Sequence, residues 1–120
     1  MFGNYLVSGT IIIQNKIIFE NAILYINLVD STYCDISSNI IYSYILENIN
    51  KHIKNTNEIK FSFDIKKELI KPNKEYSLEV HIDVNNDKKI SNGDYINIQN
   101  YPLSMFITSN KNLINLKLIN

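Results

Sequence analysis

Apolar and polar residues alternate with a period of two along most of the chain. Ile59, Phe61, Phe63 and Ile65 interleave with Lys60, Ser62 and Asp64, the pattern of a strand with one face buried and one in water. Tyr76, Leu78, Val80, Ile82 and Val84 interleave with Ser77, Glu79, His81 and Asp83 in the same way. Leu24, Ile26 and Leu28 form a shorter apolar face, and Tyr5–Ile13, Ile40–Glu47, Tyr95–Gln99, Met105–Thr108 and Leu113–Ile119 are further strand candidates rich in Ile and Tyr. Clusters of Asn, Asp, Ser and Lys separate them, because short polar side chains bond their own backbone and favour turns. Short strands at near-regular spacing predict one all-β domain over residues 1–120, an antiparallel β-sandwich of about seven or eight strands. The general form expected is transthyretin-like or immunoglobulin-like.

Composition narrows the function. The chain of 120 residues is 45% hydrophobic and 20% charged, so it can bury a core. It contains 23 Ile, 19 Asn and no Arg, the signature of AT-rich coding, so Lys supplies all the fixed positive charge. Lys balances Asp plus Glu at 12 each, which argues against a nucleic-acid partner that would need a cationic surface. No apolar run approaches the roughly 20 residues that cross a bilayer. With a single cysteine, Cys34, no intramolecular disulfide forms. The first residues lack the basic start and long apolar stretch of a secretory signal, and Cys34 is not placed as a lipid-bearing cysteine, which points to the cytoplasm if the chain is complete.

One segment carries chemistry. Asp83-Val84-Asn85-Asn86-Asp87-Lys88-Lys89-Ile90-Ser91-Asn92-Gly93-Asp94 is a twelve-residue loop with oxygen donors at calcium-loop positions. Asp83, Asn85 and Asp87 stand at positions 1, 3 and 5, the Lys89 carbonyl at 7, Ser91 at 9 and Asp94 at 12. Ca²⁺ takes six to eight hard oxygen donors, and alternate residues of a tight loop can point inward together. Ile90 is placed to anchor the loop. The segment resembles the calcium loops of dockerins and EF-hands, with Lys88 where Gly makes the sharp turn and Asp94 where Glu usually closes the site. The flanks alternate like strands, so a Ca²⁺ here would sit between β-strands.

The remaining polar residues read as structural. His81 falls on the polar face of a strand, His52 in a Lys/Asn loop, and Cys34 as a small, partly buried residue. Asp30 and Asp35 flank a turn that their carboxylates are placed to cap. No phosphate-binding Gly loop or assembled catalytic triad is present, which argues against an enzyme.

Four pieces in order carry a family resemblance: Val7-Ser8-Gly9-Thr10-Ile11; the alternating Ala22–Asp35 segment ending Asp30-Ser31-Thr32-Tyr33-Cys34-Asp35; Phe61-Ser62-Phe63-Asp64-Ile65; and Tyr76-Ser77-Leu78-Glu79-Val80-His81-Ile82. Together they resemble the YbaY/YscW group of bacterial lipoprotein β-sandwich domains, which includes the chaperone, or pilotin, of a type III secretion secretin. The resemblance implies a periplasmic or outer-membrane setting and a protein partner. The function expected is a non-catalytic binding or chaperone-like module with a structural Ca²⁺ in the 83–94 loop. The alternative is an ion-free structural subunit that pairs through a sheet edge.

Overall fold

A computed structural model describes residues 3–14, 19–32, 39–54, 57–107 and 112–120. It holds eight strands: β1 (Asn4–Ile13), β2 (Ile23–Asp30), β3 (Asn39–Leu46), β4 (Ile53–Lys54), β5 (Glu58–Lys66), β6 (Tyr76–Asp83), β7 (Tyr95–Asn97) and β8 (Leu113–Leu118). They form one sheet in the order β3-β2-β6-β7-β8-β1-β5-β4. The all-β expectation agrees with this architecture.

The antiparallel and two-sheet detail needs correction. β1 and β8 run parallel, from Thr10 opposite Leu113 to Ile13 opposite Leu116, so the sheet is mixed and continuous. It curls strongly. Tyr42 and Tyr44 of the terminal strand β3 stack on Phe63 of β5, near the far end of the strand order, with ring centroids 5.7 and 5.0 Å apart. The inner faces thereby enclose one core. That curl follows from strand twist, which a sheet of this many strands accumulates until its ends approach.

The period of two sets which side chains enter. On β5, Ile59, Phe61, Phe63 and Ile65 are buried while Lys60, Ser62, Asp64 and Lys66 are exposed. On β1, Val7, Gly9, Ile11 and Ile13 are buried. β6 lies inside the sheet between β2 and β7, and only Glu79 on it is exposed.

Two further expectations change. Met105–Thr108, predicted as strand, contains instead the short helix α1 (Ser104–Ile107); Thr108 lies outside the described residues. A run of three apolar residues, Met105 to Ile107, does not distinguish the two states. Pro102 and Leu103 accept from the Met105 and Phe106 amides at 3.1 and 2.9 Å, which starts the turn. The helix drives Phe106 into the core, fully buried against Phe61 and Tyr101. The expected loop Asn48–Glu58 also supplies a 3₁₀ turn at Ile49–His52 and the two-residue β4, which pairs with the start of β5.

Gly9 makes room for Phe106. A Cβ there would lie 2.9 Å from the Asn112 carbonyl oxygen and 3.0 Å from both Phe106 Cδ1 and Phe61 Cζ. Gly9→Ala therefore overpacks the core, at an expected cost of about 1–3 kcal/mol in urea denaturation. A change within about 0.5 kcal/mol would show that the α1 contact yields freely.

The turn after β2 forms as expected at Asp30. Its carboxylate accepts from the Thr32 amide at 3.0 Å and the Thr32 hydroxyl at 2.6 Å, and Lys74 lies 3.2 Å away. The Thr32 hydroxyl, then its amide, and Lys74 hold the Asp30 carboxyl below its ordinary range. Cys34 and Asp35 lie outside the described residues.

Candidate functional site

The loop between β6 and β7 is built from both ends. Asp83 is the last residue of β6 and Asp94 immediately precedes β7, so paired strands deliver the two carboxylates to one place. Both are buried, at 0% and 1% exposure, although the segment between them runs through solvent. A buried carboxylate requires donors, and backbone amides supply them. Asp83 Oδ1 accepts from the Asp87 amide at 3.2 Å, and Oδ2 from the Lys88 amide at 2.8 Å. Asp94 Oδ1 accepts from the Val84 amide at 3.0 Å, and Oδ2 from the Ser91 amide at 3.2 Å.

The expected ligand residues fall into two groups. Asp83, Asn85 and Asp87 converge: one terminal atom of the Asn85 amide lies 3.1 Å from Oδ1 of both Asp83 and Asp87. With nitrogen at that position, the amide donates to both carboxylates. Ser91 joins this group, its hydroxyl donating to Asp87 Oδ2 at 3.2 Å. Lys89 contributes its backbone; its amide donates to Asp87 Oδ1 at 3.0 Å. That bond is the main cause holding the Asp87 carboxyl below its ordinary value.

Asp94 stands apart from this triangle, engaged at the loop base. Its Oδ2 lies 2.8 Å from His81 Nε2, and His81, Asp83 and Asp94 each place a potential ligand atom within 4.8 Å of the others. The alternation places His81 toward solvent, yet its side chain is only 14% exposed and lies flat against Tyr25, with ring centroids 5.9 Å apart. This contact was not visible in the alternation, because His81 does point to the outer face of β6. The returning loop then covers it. His52, by contrast, is exposed as expected.

The backbone solves the missing glycine. Lys88 adopts φ of 63°, the left-handed conformation that position 6 demands, and Asn86 at 56° and Gly93 at 95° share it. Lys88 thus carries a side chain at a left-handed turn position where Gly is usual.

A second feature is an apolar hollow of about 520 Å³ against the far end of β6. Tyr5, Ile70, Tyr76, Pro102, Leu103 and Ile107 line much of it. Among the described residues, no helix is long and apolar enough to cross a membrane.

No protein-family profile and no curated protein matches the sequence. A solved structure does: the chain is similar to an alternative pilotin from the type II secretion system of Vibrio cholerae, with 16% identity, a TM-score of 0.71, and coverage of 98% of this chain and 99% of that one. At that identity the likeness establishes a shared pilotin-like fold over the whole length.

Proposed function

We propose that this protein is a non-catalytic, chaperone-like module that binds a protein partner and carries a structural Ca²⁺ in the 83–94 loop. The fold shared with a secretion-system pilotin supports the binding role, and it favours the kinship with YbaY/YscW domains that the strand motifs suggest. A periplasmic or outer-membrane setting belongs to the same reading. The observation that carries the ion is the convergence of Asp83, Asn85 and Asp87 at 3.1 Å spacing around one Asn85 atom. In the bound state Asp83, Asn85, Asp87, the Lys89 carbonyl, Ser91 and Asp94 supply oxygen, and His81 holds Asp94. The Asn85 amide turns its oxygen inward.

Thermal melting tests the ion. An ion that binds only the folded state stabilises it by about 2.7 kcal/mol at a hundred times its dissociation constant. Melting temperature should rise with added Ca²⁺, fall with chelator, and respond less to Mg²⁺, which demands a smaller octahedral shell. Asp87→Ala should remove most of the response, and Lys88→Gly should keep it while relieving the left-handed turn. A melting curve indifferent to Ca²⁺ in the unmodified protein would rule the ion out. Calorimetric titration with the secretin subunit of the same genome tests the partner; saturable binding supports the chaperone-like role, and no heat or mass change overturns it.

A further inference from the structure

His81 and Asp83 stand two residues apart on β6 and share its outer face, since Ile82 between them is buried in the core. Asp94 precedes the core residue Tyr95, which pairs with Ile82, so its side chain reaches the same face. The two strands thereby bring one imidazole and two carboxylates together at the base of the loop. A ligand atom of each lies within 4.8 Å of the other two. Asn85 and Asp87, in the exposed middle of the loop, are not part of this group.

Burial makes the group costly without a cation. Asp83 and Asp94 are 0% and 1% exposed, and buried charges persist where they are paired or coordinate a metal. Among the described residues no lysine pairs with either carboxylate, and His81 is the basic side chain in contact with Asp94. Backbone amides satisfy part of each carboxylate but bring no net charge. A carboxylate accepts at about four lone-pair sites. The Asp87 and Lys88 amides take two on Asp83, and the Val84 and Ser91 amides take two on Asp94. Lone pairs remain on both.

We propose that His81, Asp83 and Asp94 form a site for a divalent first-row transition ion. Imidazole nitrogen beside carboxylate oxygen is a donor set that Zn²⁺ and its neighbours in the series accept, whereas Ca²⁺ takes oxygen. The ion replaces the proton between His81 Nε2 and Asp94 Oδ2, which lie 2.8 Å apart. Two ligands about 2.0–2.1 Å from an ion and at right angles about it are roughly 2.9 Å from each other. Those two atoms therefore span adjacent corners of an octahedral or tetragonal shell with little movement. A neutral imidazole and two carboxylates balance the charge of the ion. Tyr25, stacked on the imidazole, holds the ring in plane. A hollow of about 350 Å³ bordered by Tyr25, Asn27, His81 and Lys88 gives the ion an approach.

Co²⁺ and Zn²⁺ titrated into the full chain, carrying no purification tag and stripped of Ca²⁺ beforehand, test the site. One equivalent should bind saturably. Co²⁺ should shift and broaden the ring signals of His81 in the unmodified protein and leave those of exposed His52 in place. His81→Gln should weaken binding at least about tenfold while the melting response to Ca²⁺ persists. Asp87→Ala should do the reverse, so failure of this site and failure of the calcium reading are told apart. His52→Gln should leave both responses unchanged. Absence of a saturable equivalent, or Co²⁺ signals on His52 in place of His81, overturns the proposal. So does an affinity that folded His81→Gln leaves intact, or one that Asp87→Ala alone abolishes.

Discussion

Phe63→Ala should lower the stability of the fold by about 3–5 kcal/mol, read as a fall in the urea midpoint with little change in slope. Phe63 is 7% exposed and lies on the buried face of β5 between Phe61 and the rings of Tyr42 and Tyr44. Truncation removes an aromatic ring's burial and leaves a void that both tyrosines border. Those tyrosines come from the opposite end of the strand order, so the void cannot close without uncurling the sheet. Small domains have only about 5–15 kcal/mol in total, and a loss of this size brings the chain near its threshold. Ser62→Ala, one residue away on the wet face, should change stability by less than about 0.5 kcal/mol. Equal effects from the two substitutions would show that the alternation does not set the packing.

Asp94→Ala should cost about 3 kcal/mol, an effect of the second-largest class for this molecule. The carboxylate is 1% exposed and satisfies the Val84 and Ser91 amides together with His81 Nε2. Removing it leaves three donors without their acceptor at the base of the loop. Asp94→Asn is not a mild substitute, since its NH₂ would face the same donors. A double-mutant cycle with His81→Ala separates the pair from the amides; coupling of about 1–3 kcal/mol is expected for groups in direct contact. Additive single effects would show that His81 is a bystander. The loss should persist in chelator, because these bonds exist without an ion, whereas the effect of Asp87→Ala should shrink when Ca²⁺ is removed. This contrast separates the loop's architecture from its occupancy.

The candidate site was legible to the extent that its residues are close in sequence. Asp83, Asn85, Asp87 and Ser91 alternate within one turn, and local spacing alone brings their side chains together. The strained backbone expected where Lys88 replaces a turn glycine is present: Lys88 adopts φ 63°. An outward-facing strand position is normally wet, so the alternation alone places His81 in solvent. Whether a loop folds back over such a position depends on where its far end is anchored, and β7 anchors it beside β6.

Period-two alternation, by itself, determined that the chain is all-β, which residues of β5 and β6 are buried, and where most turns fall. Those features depend on side-chain direction along one strand, a property of neighbouring residues. Tertiary structure alone decided that β1 lies parallel to β8, that the strands make one curled sheet, and that Ser104–Ile107 is helical over Gly9. It also decided that β3 ends the sheet among the described residues. Pairing and burial of this kind join residues as distant as Thr10 and Leu113. The energy that selects among such partners comes from core closure, which no local stretch of sequence contains.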